Sequence, residues 1–310
     1  MVSVGELNPD LILSGLTAAA PVLGTEQEIG GHDLVLGSAT ALCTVALARL
    51  GLRTAMVARV GADEHGRFCV GRLRDEGVDV SGIVTDAAAA TGLTVAVAYP
   101  RDRLLLTLPG TMRTLTAADV TPGQLDGARH LHVSSYFLQH GLQPGLPELL
   151  AAARARGLTT SLDTGWDPGG RWMTGALRAA LAEVDVFLPN ESELTELGGS
   201  ADLRQAAAAV LALGVRRVAV KRGAAGATLY EGRGALTVPG FVATPVDTTG
   251  AGDNFNGGFL FGMLAGWPAG RCLMLGNACG AMSVRVVGGV GGYAGLAEVE
   301  AFMGAQRPTA

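Results

Sequence analysis

The sequence has little charge and no long apolar run, and each of these two shortages excludes a class of protein. Charged residues make up 16% of the 310 positions, aromatic residues make up 5%, and the net charge is -5. A nucleic-acid-binding protein needs a basic face, which this balance does not supply. No apolar run approaches the roughly 20 residues that a membrane-spanning helix requires. We therefore expect no nucleic-acid partner and no membrane partner.

Cysteine is also scarce. The four cysteines lie in apolar stretches and have neither CxxC nor metal-site spacing, which predicts reduced, buried thiols. The opening stretch "MVSVGELNPDLILSG" lacks a basic start and is interrupted early by polar residues, so it does not resemble a signal peptide. We therefore expect the protein to be cytoplasmic.

The residues that are present can build a large core. Hydrophobic residues make up 48% of the chain, and a chain of 310 residues can bury a substantial fraction of them. From about residue 117, β-rich runs alternate with helical patterns of 10–15 residues, which is typical of βαβ units and a mainly parallel sheet. We predict an α/β fold, and parallel sheets bind ligands outside the carboxyl ends of their strands.

Two further strand pairs are predicted outside this alternation. The runs "TGLTVAVAYP" and "RLLLTLPG" flank the turn residues "RD", which indicates a hairpin. The runs "GATLYEG" and "GALTVPGF" predict a short antiparallel pair. Residues 15–37 are interpreted as edge strands or a flap.

One glycine-rich turn carries the strongest chemical signal. In "DTTGAGDNFNGGF", the residues Gly250, Ala251 and Gly252 precede an apolar helix, so the unpaired N–H groups of its first turn can face an anion. Asp253 beside such a phosphate site would act as a general base, taking a proton from an alcohol during phosphoryl transfer. The motif alone also fits an ordinary helix cap that follows a loop.

This motif resembles the second signature of the ribokinase-like carbohydrate kinases, the PfkB family. Five other stretches resemble the family in the same order, between about residues 2 and 303: "VGELNPDLIL", "ALARLGLRTAMVARVGADEHGRFCVGRLRDEGVD", "LPNESEL", "VAVKRGAAGATLY" and "LGNACGAMSV". The resemblance implies one ribokinase-like kinase domain over residues 1–310. In that fold a mainly parallel sheet lies between helices in three layers, and a small β-sheet forms a lid.

The resemblance also implies the activity and the site. The expected reaction is transfer of the γ-phosphate of ATP, with Mg²⁺, to a hydroxymethyl group of a carbohydrate. Asp253 matches the catalytic base, and the anion hole is matched by Gly250, Ala251 and Gly252. The nucleotide-binding positions are matched by Asn190, Lys221, Gly223, Gly226 and Asn277. Asn8 and Asp10 match substrate-binding positions, and Asp33 and Gly37 lie near the expected sugar mouth. Arg103 lies in the predicted lid hairpin and could reach the substrate, and Trp166, outside the family pattern, could stack on it.

Metal and partner expectations follow from the same resemblance. Glu193 and Asn190 match a pair that orders Mg²⁺, partly through water, although a helix cap and a surface acid fit the sequence equally well. Asp247 and Thr249 match positions that hold a monovalent cation, such as K⁺, in some members. Segments near residues 11–36 and 92–108 are expected to form the lid, and pairing of lids between subunits would give a homodimer.

Several positions depart from the family pattern. Ser38 replaces the second glycine of the first signature, and Leu42 replaces an asparagine that binds the sugar. Lys221 stands where a small hydroxyl residue is more common, and it fits either a phosphate contact or a surface lysine. Trp166 and Asp167 make "SLDTGWDPGGRW" unusual; Trp166 fits either stacking on the substrate or a place in the core.

These departures keep other hypotheses open. A nucleoside kinase of the same fold is the main alternative, and a nucleotide- or sugar-binding regulator without catalysis is the second. The sequence contains no GxxxxGK[ST] motif, which excludes a P-loop kinase. The GxGxxA pattern in "GGVGGYA" is not followed by a βαβ unit, so it does not indicate a dinucleotide site.

Overall fold

A computed structural model describes residues 1–99, 103–290, 292–293 and 295–306. The strands are β1 (Val2–Val4), β2 (Pro9–Ser14), β3 (Gly31–Leu36), β4 (Ala55–Gly61), β5 (Asp79–Asp86), β6 (Leu93–Ala98), β7 (Arg103–Leu108), β8 (His130–Val133), β9 (Thr159–Leu162), β10 (Val186–Phe187), β11 (Arg217–Lys221), β12 (Ala227–Glu231) and β13 (Gly234–Val238). The helices are α1 (Ala39–Arg49), α2 (Glu64–Asp75), α3 (Pro122–Leu125), α4 (Leu146–Ala155), α5 (Gly175–Leu181), α6 (Glu191–Gly198), α7 (Leu203–Leu211), α8 (Ala251–Leu264), α9 (Ala269–Ser283) and α10 (Leu296–Ala305).

A nine-stranded sheet forms the centre of the molecule, in the order β13-β12-β11-β10-β9-β8-β1-β4-β5. The strands from β11 to β5 pair in parallel, and β12 and β13 are added in antiparallel fashion at one edge. The mainly parallel sheet and its antiparallel edge pair, both predicted from the sequence, are confirmed.

Alternating side chains of the strands bind a helical layer to each face of the sheet. On β11, Val218 and Val220 are buried in one core cluster with residues of α4, α5, α6 and α7. Ala219, between them, is buried on the opposite face with residues of α1, α8 and α9. This alternation is the period of two expected of a strand that is covered on both faces. The result is the three-layer α/β architecture.

A second, four-stranded sheet has the order β3-β2-β6-β7. Its strands lie in the segments that the sequence assigned to a lid, except that β2 begins earlier, at Pro9. The strands β6 and β7 form the predicted antiparallel hairpin. One face carries Asp10, Asp33 and Val35, and Val35 lies against Gly288 of the main body. This face is therefore turned toward the loop that follows α9.

Other features of the fold test smaller expectations. All four cysteines are free and buried, as predicted. The strand β5 and the helices α3 and α10 were not predicted from the sequence. The edge strand β5 has mostly exposed or half-buried residues, so it lacks a continuous apolar run. Within the described residues, no helix is long and apolar enough to span a membrane. That the whole chain is one domain stays a prediction.

Candidate active site

The polar residues of the candidate site follow the carboxyl ends of neighbouring parallel strands. Asn8 comes after β1, Asp163 comes directly after β9, Asn190 follows β10 and Lys221 ends β11. Asn190 and Lys221 also pair as an isolated parallel bridge. Because parallel strands end at the same edge of a sheet, these side chains lie along one edge, where the sequence predicted ligand binding.

The glycine turn that begins α8 is fixed by buried hydrogen bonds around Asn254, which we call the Asn254 clamp. Gly250 caps the helix in the left-handed region at φ 73°. The amide of Asn254 donates hydrogen bonds to the carbonyl oxygens of Gly250 and Gly289, both at 2.8 Å, and Tyr293 donates to Asn254 Oδ1 at 2.7 Å. The first-turn N–H groups of α8 lack helical acceptors. The clamp therefore fixes a turn that can present these groups to an anion.

Asp253 lies in the first turn of α8 and is half-buried. Burial raises the pKa of its carboxyl to about 7, and the negative charge of Asp163 adds to the rise, whereas Lys221 opposes it. A general base is most effective when its pKa lies near the working pH. The position and the pKa of Asp253 thus suit proton abstraction at neutral pH.

A cavity of about 580 Å³ opens beside this turn. Four of the five predicted nucleotide-binding residues line it, namely Lys221, Gly223, Gly226 and Asn277. Gly276, Gly280, Ala281 and Val284, from the matched stretch "LGNACGAMSV", line it too. Sequence reasoning missed the lining residues Phe241, Val242, Ala243, Thr248 and Phe255. Most of these are small or apolar, which suits a flat aromatic ring. Ala251 and Gly252 of the predicted anion hole line the same cavity and so join it to the turn.

Asn277 has a structural role as well. Its Nδ2 donates to the carbonyl oxygens of Val238 and Pro239, both at 3.1 Å, and the residue is buried. Asn277 is thus both a cavity residue and a buried, hydrogen-bonded asparagine. Asn277 holds the end of β13 against α9 on one wall of the cavity.

Asn190 and Glu193 form a capping box at the start of α6. The backbone N–H of Asn190 donates to Glu193 Oε2, and the N–H of Glu193 donates to Asn190 Oδ1, both at 2.8 Å. Glu193 is only 5% exposed, so it is not a surface acid. Burial, with the charge of Asp163 second, raises its pKa to about 7. Asn190 is not among the residues that line the cavity.

Lys221 is ion-paired and its side chain is only 13% exposed, which excludes the surface-lysine interpretation. Its Nζ lies 2.5 Å from Asp163 Oδ2 and 3.4 Å from Asn256 Oδ1. Asn256 in turn donates to Asp163 Oδ2 at 2.6 Å. Sequence reasoning missed Asp163 and Asn256, although an acid directly after the buried strand "TTSL" was an available signal.

Asn8 and Asp10, two of the predicted substrate-binding residues, lie beside each other near the small sheet. Asn8 is buried and donates to Asp10 Oδ1 at 3.3 Å. The backbone N–H of Gly37 donates to the carbonyl of Asn8 at 3.0 Å. A Cβ atom on Gly37 would collide with the Asp10 carboxylate, so a larger residue here would displace that carboxylate. Asp33 lies exposed on β3, on the same sheet face as Asp10.

Of the two remaining predicted substrate residues, the structure describes the side chain of Trp166 but not that of Arg103. Arg103 begins β7, opposite Ala98, but its side chain lies outside the described part of the chain. Trp166 is 59% exposed, and its ring meets Trp172 edge to face at 4.8 Å. Trp166 is therefore not a core residue. Asp167 accepts three backbone hydrogen bonds, from Gly169, Arg171 and Trp172, and so shapes the loop that carries Trp166.

The two departures in the first signature have physical consequences. Ser38 adopts φ 72°, a left-handed conformation that glycine adopts more readily, and its hydroxyl donates to Glu6 O and caps α1 through Ala41 N. Leu42 is buried, and its side chain contacts the backbone around Gly250. Leu42 thus packs against the glycine turn and offers no hydrogen bond to a sugar.

Asp247 joins the two loops that flank the glycine turn. Its Oδ1 accepts from Thr249 N at 2.9 Å, and its Oδ2 accepts from Gly288 N at 3.0 Å. In the part of the chain that the structure describes, no group of three or more His, Cys, Asp or Glu residues could hold a metal ion. A cation here would need backbone, water or phosphate oxygens as further ligands.

Comparisons with known proteins agree with this geometry. The chain is 31% identical over 249 residues to an uncharacterized sugar kinase of Archaeoglobus fulgidus, covering 78% of this chain and 95% of that protein. It is 28% identical to an ATP-dependent ribose-1-phosphate kinase of Halopiger xanaduensis, covering 91% of each chain. The structure matches a putative ribokinase II of E. coli, solved with ATP and Mg²⁺, at a TM-score of 0.88 with 27% identity over 98% of both chains. The family model of the pfkB family carbohydrate kinases matches residues 5–292. The chain therefore belongs to the PfkB family of carbohydrate kinases.

Proposed function

We propose that this carbohydrate kinase transfers the γ-phosphoryl group of ATP to a hydroxymethyl group of a sugar, with Asp253 as the general base. The observation that carries the proposal is the position of Asp253. It stands in the first turn of α8, directly after two residues that line the cavity, and its pKa is about 7. A protein that only bound nucleotide would have no use for a carboxyl group there, which argues against the regulator hypothesis.

In the proposed reaction, the acceptor hydroxyl attacks the γ-phosphorus while its proton passes to an Asp253 carboxylate oxygen. The new bond joins the acceptor oxygen to phosphorus. The bond between phosphorus and the bridging oxygen breaks, and its electron pair leaves with ADP. The N–H groups of the turn formed by Gly250, Ala251 and Gly252 stabilise the charge on the transferring group. The Asn254 clamp keeps that turn in place before the substrates bind.

Mg²⁺ fits the residues that are present. Mg²⁺ prefers oxygen ligands, keeps several waters and is often held by one or two carboxylates together with substrate phosphates. Glu193 and the Asn190 amide supply such oxygens, and burial together with the charge of nearby Asp163 raises the pKa of Glu193. When bound, Mg²⁺ would neutralise charge on the phosphates. Asp247 and Thr249 remain the proposed positions for a monovalent cation such as K⁺.

A sugar acceptor is favoured over a nucleoside. Asn8 and Asp10 form a hydrogen-bonded pair on the substrate side, which suits the vicinal hydroxyls of a carbohydrate. The named relatives are sugar kinases. Leu42 offers no hydrogen bond in place of the usual asparagine, so part of the acceptor would face an apolar surface. The exposed ring of Trp166 is the one feature that also suits a nucleoside base.

The small sheet would close over the acceptor as a lid, and its outer face would form a homodimer. That face carries Leu11, Leu13, Leu34, Val95, Val97, Leu104 and Leu106, and none of these is fully buried. An apolar sheet face of this kind is typical of an interaction surface. Since the reaction consumes ATP, we place the enzyme in the cytoplasm.

The direct experiment is to measure ADP release with ATP and Mg²⁺ across a panel of sugars, sugar phosphates, sugar acids and nucleosides. Phosphorus NMR of the product then identifies the oxygen that carries the new phosphate. Phosphorylation of a primary hydroxyl on a sugar supports the proposal. Turnover of nucleosides alone would replace it with the nucleoside kinase. Binding of ATP without turnover of any acceptor would favour the regulator.

A further inference from the structure

The buried ammonium of Lys221 lies between the nucleotide cavity and the first turn of α8. Its side chain is 13% exposed and lines the cavity. A Cβ atom placed on Gly252 would lie 3.5 Å from both Lys221 Nζ and Lys221 Cδ, an ordinary van der Waals contact, so the lysine lies close beside the anion-hole backbone. A cation in this position can reach a phosphoryl group that is bound by the turn.

Asp163 contacts this ammonium group directly, and the carboxyl groups of Glu193 and Asp253 also act on it electrostatically. The charge of Asp163 raises the pKa of both Glu193 and Asp253, and the charge of Lys221 lowers both. Although burial opposes it, the charge of Asp163 also raises the Lys221 pKa, so the ammonium stays protonated. A buried ion pair is weak evidence for stability, because desolvation offsets much of the attraction. Stabilisation of the fold therefore does not explain why these charged side chains lie together.

Asn256 fixes where the ammonium points. It lies one turn beyond Asp253 on α8, donates to Asp163 Oδ2 at 2.6 Å and accepts from Lys221 Nζ at 3.4 Å. An ammonium group has three N–H donors. In the part of the chain that the structure describes, Asp163 and Asn256 take two of them. The third is left for the side where Gly252 and the cavity lie.

We propose that Lys221 is a catalytic residue that donates a hydrogen bond to the γ-phosphoryl group of ATP, and that Asp163 and Asn256 are positioning residues that hold its ammonium there. The inference rests on the proposed function, and it assigns to Lys221 a γ-phosphoryl contact beyond general nucleotide binding. During transfer Lys221 keeps its proton and forms no bond to phosphorus. Its fixed charge offsets the negative charge on the phosphoryl oxygens while Asp253 takes the acceptor proton.

The competing explanation is that Lys221 only neutralises Asp163. A single substitution cannot separate the two, because Lys221→Met would leave Asp163 buried without its partner. The double variant Lys221→Met with Asp163→Asn removes both charges and therefore restores charge balance. If Lys221 were only a counter-ion, the double variant would have the melting temperature and the nucleotide affinity of the wild type. If Lys221 contacts the γ-phosphoryl group, stability would recover and function would not.

The test measures the affinity for ADP and for the β,γ-imido analogue of ATP, each with Mg²⁺, which requires no knowledge of the acceptor. We expect the double variant to bind ADP as the wild type does and to bind the analogue about 10-fold or more weakly, as for a lost hydrogen bond to a charged group. With an acceptor, kcat should fall about 10²–10³-fold, as for loss of one oxyanion donor. Should the methionine pair not fold, Lys221→Gln with Asp163→Asn keeps a neutral hydrogen-bonded pair in the same space.

Each of the other possible results of these measurements would contradict a specific part of the proposal. Unchanged affinity for both nucleotides and unchanged kcat in the double variant would make Lys221 a counter-ion only. Equal weakening of ADP and the analogue would move its contact away from the γ-phosphoryl group. If the wild type bound neither nucleotide, the proposed function would fail, and this inference would fail with it.

Discussion

The side chain of Leu42 packs against Gly250, so a residue of α1 supports the turn that begins α8. A Cβ atom on Gly250 would lie 2.9 Å from Leu42 Cδ1 and 2.6 Å from Gly289 Cα. Gly250 also has φ 73°, a conformation that disfavours any L side chain. Packing and backbone conformation thus both require glycine at the first position of the proposed anion hole.

Gly250→Ala should therefore impair catalysis as well as stability. The methyl group would displace Leu42 or the Gly289 backbone, and with them the turn that aims the N–H groups. We expect kcat to fall about 10²-fold or more, the scale of a lost oxyanion donor. The matched control is Gly266→Ala, because Gly266 also has φ 73° but nothing within 4 Å of the added atom. The control should lose about 1–2 kcal/mol of stability from backbone strain and keep its kcat. Equal kcat in the two variants would show that the Gly250 turn does not take part in the reaction.

The pH profile should reveal the state of Asp253. Its pKa is about 7, and a general base works only when it is ionised. kcat/KM should therefore rise as the pH increases toward 7 and level off above about 8, with a roughly tenfold fall per pH unit well below the midpoint. The measurement is kcat/KM from pH 5 to 9 at saturating Mg²⁺. A flat profile between pH 6 and 8 would show that no carboxyl with this pKa controls the reaction.

Glu193→Gln should lower the apparent affinity of the enzyme for Mg²⁺. Glutamine can replace glutamate in the capping box, so α6 should keep its start, while the negative charge near the phosphates is lost. We expect the Mg²⁺ concentration for half-maximal activity to rise several-fold, on the order expected when a charged partner becomes neutral. Glu191→Gln is the control, because Glu191 lies on the same turn but pairs with Arg222 at the surface. Identical Mg²⁺ dependence in the two variants would remove Glu193 from the metal site.

The outer face of the small sheet should control the oligomeric state. Leu106 on this face is 54% exposed, and Leu106→Glu would place a charge within the proposed apolar interface. We expect light scattering to give a dimer for the wild type at micromolar concentration and a monomer for this variant. Leu236→Glu is the control, since Leu236 is 42% exposed but lies on β13, at an edge of the large sheet. A monomeric wild type would exclude the dimer through this face.

The sequence predicted the sheet and the glycine turn well because both depend on local signals. Alternating β-rich and helical runs define the parallel sheet, and the glycines around Asp253 mark the start of α8. Ser38 was recognised as a departure from a glycine pair, and its φ of 72° explains why glycine is favoured there.

The parts that could not be predicted depend on contacts between distant segments. Asp163 and Asn256 are 93 positions apart, and only the fold brings them to one lysine. The burial of Lys221 and Glu193 could not be inferred from the sequence for the same reason, since neither residue stands in an apolar run. Asn254 and Gly289 are 35 positions apart, so the Asn254 clamp on the glycine turn could not be predicted from the sequence either.

The central claim, that Asp253 is the base for phosphoryl transfer, is tested most directly by Asp253→Asn. The measurement is kcat with the identified acceptor, together with the affinity for ATP and the melting temperature at pH 8. Burial disfavours the charged form of Asp253, so a neutral side chain should leave the melting temperature unchanged or raise it. We predict a fall in kcat of at least 10²–10⁴-fold with ATP affinity largely retained. A folded variant that kept the wild-type kcat would contradict the account.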